Sequence, residues 1–91
     1  MNSTEYVLAF PSFYKAAYAQ EILGKNKIRS AIRKLPPGLL QSCGYGVILR
    51  NMGTDGLKRP LSLLEEKEIR PKGVFLTRRE GERTIYDKVY L

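Results

Sequence analysis

A chain of 91 residues, 43% hydrophobic and 27% charged, amounts to a single domain spanning 1–91 and leaves no room for a second core. Its uncharged runs fall well short of the roughly 18 apolar residues of a membrane span, and eight Gly and five Pro are ordinary numbers, so membrane-spanning, collagenous and wholly disordered chains are excluded. Lys and Arg number 16 against nine Asp and Glu, a net charge of +7 that favours acidic or polyanionic partners without choosing among them.

The elements follow in chain order. Glu5 to Phe10 is rich in β-formers and is closed by Pro11, which predicts a buried strand. Ser12 stands where a helix N-cap belongs, and Ala16, Ala19, Ile22 and Leu23 recur at helical spacing, so a helix of about three turns should run to Gly24 or Asn26. Ile28 to Arg33 alternates with period two and reads as a strand with one face on the core. Pro36 to Cys43 forms a connection longer than a hairpin needs, and Gly44 to Arg50 resumes β character. Asn51 to Gly56 is turn-like, Pro60 to Ile69 has the composition of a second helix with Pro in its first turn, and Pro71 and Gly73 should end it. Two further β segments, Val74–Thr77 and Thr84–Tyr86 with Val89–Leu91, flank a charged turn, Arg79 to Glu82.

The order β-α-β-β-α-β with an extra C-terminal strand predicts an α+β ferredoxin-like sandwich, an antiparallel sheet with two helices on one face. A right-handed crossover makes strands 1 and 2 parallel, so Pro11-Ser12 and the loop carrying Cys43 should emerge side by side. The N-terminus has no basic run followed by an apolar stretch and a small-residue cleavage site, so a cytoplasmic protein is expected, with no membrane association.

The absence of His, with a single Cys, excludes the usual zinc sites, a Cys-His dyad and a Ser-His-Asp triad, and no metal or cofactor is expected. The one residue equipped for chemistry is Cys43, in Gln41-Ser42-Cys43-Gly44-Tyr45-Gly46. A lone Cys is often a packed small hydrophobe. Here Ser42 and Gly44 flank it with small side chains, and Gly44 and Gly46 permit a nest of N–H groups. The helix start at Pro11-Ser12 adds partial positive charge, and Arg33 and Lys34 add cations if strand 2 aims them at the loop. Each favours a thiolate. With no resolving Cys and no His as base, such a thiol is suited to holding a group and passing it on, as a persulfide or a mixed disulfide.

The run from Tyr6 to Gly46 resembles the selenium/sulfur carrier protein-like family, a domain of unknown function. The resemblance rests on Phe10-Pro11-Ser12, then Ala16, Ala19, Leu23 and Ile28, then Pro36 seven residues before the Cys of Ser42-Cys43-Gly44, with no gap. It departs from the family at Gln20, where an acidic residue is common, and at Pro37, where Arg is common. What it implies is selenium or sulfur trafficking centred on Cys43, with a cysteine desulfurase-like donor and an acceptor enzyme as partners, a non-catalytic relay rather than an enzyme with turnover.

Other readings compete. Tyr14 and Tyr18, at i,i+4 beside Lys15 and Lys25, could stack on bases, but the RNA-binding version of this architecture needs a signature on strands 1 and 3 that this chain lacks. A basic module for RNA or an acidic protein, with Cys43 structural, is the runner-up, and a homo-oligomer formed through the C-terminal β segment is the third reading. Gly44-Tyr45-Gly46 precedes a strand and is no dinucleotide fingerprint, and Glu65-Glu66-Lys67-Glu68 reads as a solvated helix face.

Overall fold

A computed structural model of the protein describes residues 5–39, 44–50 and 54–90, with Thr54 and Asp55 by backbone alone. The elements are β1 (Glu5–Phe10), α1 (Phe13–Lys25), β2 (Ala31–Lys34), β3 (Tyr45–Arg50), a 3-10 turn (Thr54–Leu57) running into α2 (Lys58–Glu66), β4 (Gly73–Glu80) and β5 (Arg83–Lys88). The sheet order is β2-β3-β1-β4-β5 with every neighbouring pair antiparallel, the ferredoxin-like arrangement extended by one strand. β1 and β2 both run antiparallel to β3, and so are parallel to each other.

β1 is central, and its alternating side chains feed two apolar layers. Tyr6, Leu8 and Phe10 face the helices, meeting Ala16, Ala19, Ile22 and Leu23 of α1, Leu57 and Leu64 around α2, and Val47, Leu49 and Val74 of the neighbouring strands. Val7 and Ala9 face the other way, where Ile48, Phe75 and Leu35 bury them, with Leu39 and Tyr86 alongside. The outer face of the central strands is thus roofed.

α1 begins as its sequence predicts, with Ser12 Oγ accepting the Lys15 N–H at 3.2 Å. Both helices end in the same motif. Lys27 and Glu68 adopt left-handed backbone, with φ of 64° and 59°, and the next N–H, of Ile28 or Ile69, reaches back to Leu23 or Leu64. Three expectations change as a result of these and similar contacts. β2 begins at Ala31 rather than Ile28, because Ile28 is used to close the helix end and Ser30 gives its carbonyl to the Gln20 side chain. α2 starts earlier, at Lys58, and ends before Pro71, because Glu68 turns the chain out of the helix. The β4–β5 hairpin runs beyond its apolar residues: Glu80 pairs with Arg83, leaving Gly81, at φ 65°, and Glu82 as a two-residue loop. No helix among the described residues is long and apolar enough to cross a membrane.

Candidate functional site

The C-terminal ends of β1 and β2 and the start of β3 meet at one end of the sheet. Phe10 pairs with Tyr45, Lys34 also pairs with Tyr45, and the Leu35 N–H donates to the Gly44 carbonyl at 2.9 Å. Pro11 and Ser12 follow directly from Phe10, so the positive end of α1 stands beside the buried Gly44. The Phe13 ring meets the Tyr45 ring edge-on, with centroids 5.4 Å apart, which ties the first helical residue to the first residue of β3. The expected proximity of Pro11-Ser12 to the β2–β3 loop therefore holds as far as Gly44. Ser42 and Cys43 themselves lie outside the described residues.

The remaining expected site residues separate. Gly46 sits within β3, between Ala9 and Arg33, in ordinary strand backbone, so its N–H does not converge with a neighbour's into a nest. Its lack of a side chain serves packing, since a Cβ there would come within 2.6 Å of Val7 Cγ1 and 2.8 Å of Leu35 Cδ2. Arg33 is committed elsewhere: its guanidinium donates to Glu5 at 3.2 and 3.5 Å, toward the far end of β1. Glu5 also accepts from Arg50 Nε at 3.1 Å and from the Thr77 hydroxyl at 3.2 Å. Burial opposes the Glu5 charge, but these bonds outweigh it and hold its carboxyl below the usual carboxylate range. The same contact raises the Arg33 pKa further above its ordinary value. Lys34 is exposed on the helix side of the sheet and has no ion-pair partner among the described residues.

One neighbour was missed by sequence reasoning. The Lys72 N–H donates to the Ala9 carbonyl at 2.7 Å, which brings a further exposed cation to this end of the sheet. Only the strand order, with β4 against β1, could have revealed it. Among the described residues no group of three or more Cys, Asp or Glu side chains could hold a metal ion. The outward positions of the two central strands are Glu5, Val7, Ala9, Gly46, Ile48 and Arg50; Val7, Ala9, Gly46 and Ile48 are buried and none of the six is aromatic, so β1 and β3 offer no aromatic platform for bases.

The architecture is that of a small ferredoxin-like α+β protein. A solved structure described as a functionally unknown protein from Pediococcus pentosaceus ATCC 25745 has the same fold, with a TM-score of 0.50 and 15% identity over 96% of this chain and 82% of that one. The search of curated proteins returns no match. The family model described as "Putative Se/S carrier protein-like" matches residues 5–76, and the chain belongs to that family. That match continues past the motifs ending at Gly46, through α2 and into β4.

Proposed function

We propose that the protein is a sulfur or selenium carrier that holds the group on Cys43. The observation that supports this reading most is the position of Gly44, the residue directly after Cys43, beside the positive end of α1 and bonded to Leu35 at the end of β2. A helix N-terminus favours an anionic sulfur, and so does positive charge such as that of Lys34 and Lys72, both at this end of the sheet. Ser42 and Gly44 keep the flanks of the thiol small, while Pro11 and Ser12 set where the helix begins. Arg33 does not share in this role, because Glu5 takes its guanidinium.

The transfer is an exchange between thiols and needs no external oxidant. The Cys43 thiolate attacks the outer sulfur of a donor persulfide, R–S–SH; the S–S bond of the donor breaks, R–S⁻ leaves and takes up the proton released by Cys43, giving R–SH and Cys43–S–SH. Passing the sulfur to an acceptor thiol repeats the step with the roles reversed, and a selenium atom in the outer position balances in the same way. A desulfurase-type enzyme suits the donor and an acceptor enzyme the other side, in the reducing cytoplasm, where a lone thiol remains free to exchange.

The test is loading. The full chain is incubated with a low-molecular-weight persulfide and analysed by intact mass spectrometry, with Cys43→Ser alongside. A gain of one sulfur atom that is absent in the variant and is removed by an acceptor thiol supports the carrier. Failure of the folded wild-type chain to take up sulfur contradicts it.

A further inference from the structure

Three of the four large apolar side chains most exposed among the described residues belong to α1: Phe13 at 55%, Tyr14 at 83% and Tyr18 at 43%. Tyr14 and Tyr18 lie one turn apart on the helix surface, and Phe13, the residue before Tyr14, sets its ring edge-on to that of Tyr45. Lys15 lies in the same helical turn, and Lys34 lies opposite Tyr45 on the edge strand. Neither forms an ion pair among the described residues, whereas Lys25, Arg33, Arg50, Arg70 and Arg78 all do. The sequence has no acidic residue from 6 to 20 or from 22 to 54, and Glu21, one turn beyond Tyr18, is paired with Lys25 at 3.6 Å. The α2 side of the same end is mixed, with Glu65, Glu66 and Glu68 among its cations.

Solvent-exposed aromatics beside unpaired cations are the make-up of an interface centre, and the cations select an opposing surface of negative charge. We propose that Phe13, Tyr14, Tyr18 and Tyr45, bordered by Lys15 and Lys34, form the docking surface for an acidic protein that exchanges its group with Cys43. The assignment deepens the carrier reading and rests on it.

The test uses Cys43 of the full chain as the reporter of encounter. The probes are short peptides with a central cysteine activated as its 2-pyridyl disulfide, flanked by leucine and either glutamates or lysines. The Cys43 thiolate attacks the peptide sulfur, forms a mixed disulfide and expels 2-thiopyridone, whose absorbance gives the rate, normalised to free cysteine as attacking thiol. The glutamate peptide should react about tenfold faster than the lysine peptide at low salt, and the ratio should shrink as ionic strength rises. Lys15→Glu with Lys34→Glu should invert the preference, Tyr14→Ser with Tyr18→Ser should slow both peptides severalfold, and Arg79→Glu, at the far end of β4, should change neither. Normal reaction with neutral iodoacetamide but no difference between peptides overturns the docking surface alone. No iodoacetamide reaction in the folded chain, with reaction restored on unfolding, overturns the carrier reading and this assignment with it. Salt-sensitive protection of Cys43 by an oligouridylate, without preference for the glutamate peptide, makes the occupant a nucleic acid and overturns the acidic-protein assignment.

Discussion

Two residues show how much of the fold depends on single side chains. Gly46 has no left-handed backbone to justify it; what it provides is the space that Val7 and Leu35 occupy on the outer face of the sheet. Gly46→Ala should therefore cost about 2 kcal/mol, because both branched neighbours are buried and must shift, and chemical denaturation would measure it. Glu5 is the charged counterpart, a carboxylate 18% exposed between two guanidiniums that are more exposed than it is. Because its pKa is lowered in the folded state, its contribution is present above the ordinary value of 4.5 and is lost as pH falls below that value through the folded one. Glu5→Gln should cost about 1 kcal/mol at neutral pH, given the exposed partners, and should flatten the acid side of the stability curve. An unchanged acid limb would show that the three-way pair contributes nothing.

At the scale of elements, the helix ends carry the plainest consequence. Lys27 and Glu68 hold left-handed backbone that costs a side-chain-bearing residue roughly 1 kcal/mol, and Gly removes that cost while adding some unfolded-state entropy. Lys27→Gly and Glu68→Gly should each raise stability by about 0.5 kcal/mol, read as a rise in denaturation midpoint. The same motif explains what the sequence left illegible. Ser12, Ala16, Ala19, Ile22 and Leu23 announce α1 by capping and period, and the structure agrees with that reading. Ile28 looks like the first strand residue because it begins an alternation, but its N–H and side chain belong to the helix end. No local pattern distinguishes those two uses of an isoleucine. Arg79 and Glu80, where charge alone suggests a turn, are likewise drawn into β4 by pairing with β5, beside the Arg78–Asp87 bond at 2.7 Å.

For the whole molecule, strand order decides which sequence features become neighbours. Placing β1 between β3 and β4 brings Pro11-Ser12, Gly44 and Lys72 to one end of the sheet from three distant parts of the chain. The β1–β3 pairing follows from the fold class, and with it the closeness of the helix start to Gly44 was legible. The direction of Arg33 was not, because a long side chain on an edge strand is free to lean toward either end until a carboxylate such as Glu5 claims it. Two apolar layers, one beneath the helices and one over the outer face of β1, leave the sheet without an open aromatic surface. The carrier role we propose therefore relies on the end of the sheet and the flank of α1 rather than on the sheet face.

The central claim is that Cys43 is a nucleophile at neutral pH, and its alkylation rate against pH tests that directly. The rate is measured with iodoacetamide on the folded chain and again on the chain unfolded in denaturant, where the thiol should titrate near the free value of about 8.5. The carrier account predicts a folded midpoint well below that value with fast reaction at pH 7, shifting back upward when Lys34→Glu and Lys72→Glu reverse the charge at this end of the sheet. A folded midpoint at or above the unfolded one, or a thiol that reacts only after unfolding, would contradict the account and leave Cys43 as a packing residue.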